Sequence, residues 1–212
     1  MKNEIMLISG MDFSGKSTII KEIPKLLRYN VITQEKLLSP PENNEVWKKV
    51  KALKSSKIYQ SEWNDKQRSE YDWLVYEALK YDLEHYIPPN TQTIQDSVLL
   101  MKRLARTILQ DNDKELLEKH HELVNHLPNM DSIFLTTTPT ERLRRFNIRQ
   151  GNGGNISRTD NLLIHDPEKF FDLSKIYQDQ IIKRFPNTVI IDTTNATPVE
   201  SAKKIIKEIG EK

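Results

Sequence analysis

Residues 10–18 read Gly-Met-Asp-Phe-Ser-Gly-Lys-Ser-Thr, with four residues between the two glycines and Lys-Ser directly after the second. Glycines at that spacing let a chain curl with its amides pointing inward, which makes a nest for an anion. A helix that starts at the lysine adds the positive end of its dipole to the same point. Lys16 is then a point charge for β- and γ-phosphate oxygens, and Ser17 a ligand for Mg²⁺. The pattern G-x-x-x-x-G-K-[ST] is met by Gly10, Gly15, Lys16 and Ser17. We therefore expect Gly10, Met11, Asp12, Phe13, Ser14, Gly15, Lys16, Ser17 and Thr18 to hold the tail of a nucleoside triphosphate, ATP with Mg²⁺.

Such a loop works only between a strand and a helix. The apolar run 4–9 predicts a buried strand, and apolar residues at 19, 20, 23, 26 and 27 have helical spacing, with Pro24 set to kink or shorten that helix. A weaker strand is expected at 30–36, and the prolines of 37–44 forbid helix there. The polar, aromatic stretch 45–87 predicts two helices stopped by Pro88-Pro89. Strands follow at 91–96, 131–137 and 187–192, and helices at 97–110, 113–127, 138–150, 166–185 and 197–209. The glycine-rich segment 151–160 reads as a loop. Strands alternating with helices give an α/β fold with a parallel sheet wrapped on both faces. Residues 37–87 read as an insertion on that sheet and not as a separate domain.

Three fates are open to the γ-phosphoryl group: water, an acceptor, or none. A GTPase would normally carry an N/T-K-x-D motif, and a motor-type ATPase a strongly hydrophobic strand ending in Asp-Glu; neither is present. Transfer to an acceptor needs a second pocket, and arginines on a flap that neutralise charge and exclude water. Arg149 and Arg158 flank the glycines of the loop, and Arg142, Arg144 and Arg145 stand on the helix before it, where a solvated basic face is the alternative.

With these residues in place, the chain resembles the thymidylate kinase family of P-loop nucleoside monophosphate kinases, and more loosely the deoxynucleoside kinases. The loop at 10–18, the stretches 85–97 and 131–151, and the last helix–strand–helix at 177–205 carry the likeness. The resemblance implies a three-layer sandwich around a five-stranded parallel sheet, one domain with an acceptor-binding helical insertion at 37–87 and a lid at 149–163. It implies ATP and Mg²⁺ at the strand C-termini and a homodimer. It also implies that Asp12 lies near the acceptor's sugar hydroxyl, that Arg145 belongs to the cofactor side, and that Arg149 and Arg158 are lid arginines, catalytic together with Lys16.

The family's Asp-Arg-Tyr is Asp96-Ser97-Val98 here. Asp96 can still act on Mg²⁺ through water or serve as a base on the acceptor side. The missing arginine normally grips the acceptor's phosphate; Lys102, Arg103 and Arg106 are candidates to replace it, or form an exposed helix face. Tyr71, Trp73 and Tyr76 offer stacking surfaces or core packing, Arg68 is the nearest arginine to them, and Glu35 could take a sugar hydroxyl or a base donor. Three functions remain open: a kinase of a deoxynucleoside monophosphate, a nucleoside kinase acting on a 5′-hydroxyl, and a nucleotide-binding protein that transfers nothing.

The bulk numbers narrow the setting. The chain has 212 residues and a net charge of +2, so total charge argues for neither nucleic acid nor an anionic membrane. With no cysteine there is no disulfide, thiolate nucleophile or Cys-ligated zinc. No window approaches the ~18 apolar residues of a membrane span, and the expected setting is cytoplasmic. His120, His121 and His126 do not share a helical face and carry no metal reading. Trp47 among Lys48, Lys49, Lys51 and Lys54 reads as a solvated basic helix, with a nucleic-acid face as the alternative.

Overall fold

In a computed structural model, which describes residues 5–26, 30–32, 44–55, 64–154 and 158–210, the apolar run after residue 4 becomes strand β1 (Ile5–Gly10), buried along its whole length. Around it stand β3 (Thr93–Asp96), β4 (Asp131–Thr136), β2 (Asn30–Ile32) and β5 (Val189–Asp192), in the order β2-β3-β1-β4-β5 with every neighbouring pair parallel. Period-two alternation sorts the side chains onto two faces. Met6, Ile8, Ile94, Ile133 and Leu135 pack under helices α1 (Lys16–Leu26) and α9 (Pro198–Gly210), through Ile19, Ile20, Ile23, Ala202 and Ile205. Ile5, Leu7 and Phe134 face the opposite layer. That layer holds α2 (Glu45–Ser55), α3 (Asp65–Glu84), α4 (Leu99–Gln110), α5 (Lys114–Asn125) and α8 (Pro167–Arg184). Two apolar cores separated by one sheet make the three-layer sandwich expected from the sequence.

β3 is the strand that hydrophobicity marks least clearly, because Thr93 and Gln95 are polar yet buried. Thr93 donates its hydroxyl hydrogen to Thr91 O at 2.9 Å, and Gln95 Nε2 donates to Ser97 O at 2.8 Å. The weak strand at 30–36 is described only for Asn30–Ile32, so its end, the following loop to 43, and Glu35 lie outside the described residues.

Two expectations need correction. The segment 151–160 is not loop throughout: after α6 (Pro139–Gly151) the chain turns, and α7 (Arg158–His165) begins inside that range, with Thr159 and Asp160 buried. Trp47 is not a surface aromatic among lysines. It is 4% exposed, while Lys48, Lys49 and Lys51 point outward.

Trp47 is held by a buried polar knot that joins α2 to α3. Asp82 accepts from Asn44 Nδ2 at 2.9 Å and from Trp47 Nε1 at 2.7 Å, and Asn44 Oδ1 accepts from the first amides of α2, those of Val46 and Trp47. Burial pushes the Asp82 carboxyl up to about 6 from 3.8, although both hydrogen bonds pull it down. The folded state therefore binds more protons than the unfolded chain between those values. This group's contribution falls as pH rises through them, by on the order of 3 kcal/mol in all. His120 acts in the opposite sense: burial lowers it from 6.5 to about 4, so its contribution rises with pH across an overlapping window. Comparing wild type with Asp82→Asn isolates the carboxyl. Urea unfolding from pH 4 to 7 should show the variant gaining stability relative to wild type as pH rises, whereas parallel profiles would contradict the assignment.

Candidate phosphate-binding site and its two cavities

The turn at residues 10–15 is built so that little but glycine fits at its ends. Gly10 has φ +154°, and a Cβ there would lie 2.7 Å from Ser14 Oγ and 2.9 Å from Leu135 O. Gly15 has φ +84°, with Arg145 Nη1 at 3.1 Å from such a Cβ. Phe13 takes φ +64°, unusual for a bulky residue, and its ring packs edge-on against Phe146 of α6 at 5.4 Å.

Three consecutive carbonyls of the loop are tied to the surrounding scaffold. Arg142 Nη1 donates to Asp12 O at 2.8 Å, Arg145 Nη1 to Phe13 O at 3.2 Å, and the Thr193 hydroxyl to Ser14 O at 2.8 Å. With those carbonyls engaged from outside, amides are what the curve has left to offer an anion, beside the N-terminus of α1. Arg145 also donates to Thr193 O at 2.6 Å and to Glu141 at 2.7 Å. The Glu141 carboxyl is held down at about 2, first by the hydrogen bond from Arg144 and then by Arg145. Arg142 is buried, and although burial lowers it to about 10 it stays cationic at neutral pH. Two of the three arginines that the sequence grouped near a flap thus brace the loop.

Lys16 and Asp96 form an ion pair across the C-terminal ends of β1 and β3, where Asp96 lies beside Ile8. Ser97 follows at φ +59° and donates its amide to Ile8 O at 2.9 Å, which fixes the carboxylate over the loop. Ser17 and Thr18 are exposed at the start of α1. Ser17 and Asp96 are hard oxygen donors of the kind Mg²⁺ takes from a protein when phosphates and water supply the rest. Among the described residues no cluster of three metal-ligating side chains exists, and His120 is instead buried against Thr107, 3.3 Å from its hydroxyl.

Two cavities flank the loop. The larger, of about 480 Å³, lies between Gly15, Thr18, Arg144, Arg145 and the segment 193–198 after β5. The smaller, of about 30 Å³, is lined by Asp12, Lys102, Arg106, Thr159 and Tyr177 among others, on the α4 and α8 side. The first volume is in the range of small-molecule sites. The second holds about one water, and its wall is closed by a hydrogen bond from Arg106 Nη2 to the Thr159 hydroxyl of α7.

The other candidates are spread more widely. Arg149 sits with its guanidinium 5.6 Å from the centre of the Phe13 ring and 3.8 Å from Asp160 Oδ2 of α7, so it lies between the loop and α7. Arg158 opens α7, but its side chain lies outside the described residues. Arg68 is on the exposed first turns of α3. Trp73, Tyr76 and Arg103 line neither of the two cavities. Trp73 Nε1 donates to Asp113 at 3.1 Å and Tyr76 packs edge-on to His120, both against α5, while Arg103 pairs with Asp72 at 2.8 Å and lies over the Tyr71 ring. Helical aromatics here serve inter-helix packing, a role that spacing alone does not separate from ligand stacking. Thr159, Tyr177 and Thr193 escaped the sequence reading because a lone hydroxyl carries no motif; only the fold brings them to the site.

No protein-family model matches the sequence, and no curated protein matches it. Solved structures do. A deoxyadenosine kinase from M. mycoides with bound dCTP is similar over 98% of this chain and 100% of its own, at 21% identity and a TM-score of 0.58. Thymidylate kinase from Candida albicans is similar over 99% and 92%, at 15% identity and 0.63. Shikimate kinase from Acinetobacter baumannii is similar over 98% and 92%, at 15% identity and 0.53. The likeness spans the whole chain and shows that it shares the fold of these three proteins.

Proposed function

We propose that this chain is an ATP-dependent phosphotransferase that acts on a nucleotide, a deoxynucleoside monophosphate. The observation that carries the reading is the braced loop with Lys16 and Asp96 at its mouth and a cavity on either side. One cavity serves the donor, the other the acceptor. The thymidylate kinase likeness supports a nucleotide as acceptor, while the deoxyadenosine kinase likeness supports the alternative of a nucleoside 5′-hydroxyl.

The chemistry asks mainly for positioning and charge. An oxygen of the acceptor's phosphate attacks the γ-phosphorus of ATP as the bond from that phosphorus to the β,γ-bridging oxygen breaks. ADP leaves, and a nucleoside diphosphate forms. The attacking oxygen is already ionised, so no base is required. Lys16 moves from Asp96 to the β- and γ-phosphate oxygens, and the loop amides hold the same groups. Asp96 and Ser17 would hold Mg²⁺, which supplies charge neutralisation between the phosphates. Arg149, already against the loop, neutralises charge that spreads over the transferred group and helps to exclude water.

Arg149→Ala should lower kcat by about two orders of magnitude while changing the Kd for ATP much less, as single-turnover and binding measurements would show. Equal loss in both would remove it from the transition state. The reading itself is tested by ATP consumption with nucleosides, with their monophosphates, and with no acceptor. Consumption only with a monophosphate is expected. Consumption that no acceptor stimulates would overturn it, and consumption with nucleosides alone would make the 5′-hydroxyl the acceptor.

A further inference from the structure

The smaller cavity is unusual in what its inner wall offers. Lys102 and Arg106 stand four residues apart on α4, hence on one face of the helix, and both line the cavity. Neither side chain can accept a hydrogen bond. Tyr177 lines it too; this residue is fully buried, and its hydroxyl makes no hydrogen bond of normal geometry although Ser9 and Ser97 lie close. Burial pushes that phenol up to about 12, so it keeps its proton and can donate. The one anionic side chain among the lining residues is Asp12. The wall is thus rich in donors, with more positive than negative charge.

The Lys102 ammonium is not a solvated surface charge. Part of the residue is exposed, but its charged end is removed from water, and this desolvation lowers its pKa, with Asp12 opposing the shift. Lys16, Asp96 and Arg106 are the other charges that it feels. A cation kept in such a place at the cost of its hydration gains most from an anion that enters beside it. Position 97, where the resemblance leads one to expect an arginine for the acceptor's phosphate, holds a serine in a left-handed conformation.

We propose that Lys102 and Arg106 form the grip for the acceptor's phosphate, which makes them specificity-determining residues that select a monophosphate over the corresponding nucleoside. This assignment rests on the phosphotransferase reading for the location of the acceptor, and its chemistry is the pairing of two cations with one compact dianion. At about 30 Å³ the cavity is too small for a nucleotide. Entry therefore moves α7, and the incoming phosphate replaces the Thr159 hydroxyl as a partner of Arg106.

Calorimetric titration of the wild-type chain, Lys102→Met and Arg106→Gln tests the grip without turnover. The probes are the four common deoxynucleoside 5′-monophosphates and their nucleosides. In wild type at least one monophosphate should bind about tenfold or more tightly than its nucleoside, and each variant should erase most of that margin while leaving nucleoside and ATP affinities within about twofold. Lys102→Arg should restore part of it. Unfolding midpoints verify that the variants fold, and either folded variant alone decides. Equal affinity for nucleoside and monophosphate, a margin that both variants keep, or no binding of any monophosphate overturns the proposal. Variants that slow turnover but leave acceptor affinity unchanged would place the two cations on the transferred phosphoryl group instead, and this too overturns it. A protein that binds a monophosphate through these residues yet transfers nothing would fail the reading of the previous section and keep this one.

Discussion

Replacing Lys16 with alanine should lower phosphoryl transfer by about three orders of magnitude and leave the protein folded. Lys16 is the first residue of α1, where alanine is a good helix former, and its stem contributes nothing to either apolar core. What is lost is the ammonium that faces Asp96 at the mouth of the loop. In the resting chain this charge neutralises the carboxylate, and with ATP bound it would neutralise phosphate oxygens as negative charge builds on the leaving ADP. No other lysine occupies the loop, so no neighbour takes over. Steady-state transfer and thermal unfolding measured on the same preparation separate the two effects. Turnover near that of wild type would show that the loop does not perform the chemistry, and a collapse of the fold would show that Lys16 has a structural role.

Gly10→Ala should act through geometry and not through charge. Its new methyl would meet the Leu135 carbonyl at 2.9 Å and the Ser14 hydroxyl at 2.7 Å, at a φ that side chains rarely adopt. Leu135 belongs to a central strand whose register with β1 is fixed, so the carbonyl cannot retreat. The loop must move instead, and with it the peptide groups whose carbonyls Arg142, Arg145 and Thr193 hold from behind. We expect a stability loss of about 2 kcal/mol and ATP affinity reduced by at least about tenfold. Gly15→Ala is a useful contrast, because its nearest neighbour is the end of the Arg145 side chain at 3.1 Å, which can shift. Denaturant unfolding should rank Gly10→Ala as the more damaging of the two; the reverse order would mean that the loop is not anchored against β4.

The features that could be read from the sequence are those with a local physical cause. The loop at 10–18 was legible because glycine spacing, a lysine and a flanking strand and helix all point to one use. The sheet was legible because apolar runs and turns recur, although Gln95 and Thr93 hide β3 behind polar side chains that donate to carbonyls two residues away. What was not legible depends on contacts across the chain. Nothing in the order of residues says that Trp73 meets Asp113, or that Trp47 is buried against Asp82. Only the fold shows that Arg142 and Arg145 hold carbonyls of the loop, because an arginine that braces a carbonyl and one that touches a phosphate look alike in sequence. The start of α7 was masked by the glycines before it, although Asp160 in its first turn suits a helix N-terminus.

The acceptor side shows the same limit most clearly. The motif expected after β3 ends at Asp96, and the sequence offered Lys102, Arg103 and Arg106 as equal substitutes. Tertiary packing separates them, since Arg103 turns to Asp72 and Tyr71 in the interface with α3 while the other two line the cavity beside Asp12.

The position of the bound triphosphate is the most direct test of the loop's role. A crystal structure of the chain with Mg²⁺ and a non-hydrolysable ATP analogue should show the β- and γ-phosphates inside the curve from Gly10 to Thr18, with Lys16 turned from Asp96 onto their oxygens and the base toward the segment 193–198. A curve left empty in those crystals, or a triphosphate bound anywhere else on the chain, would contradict it.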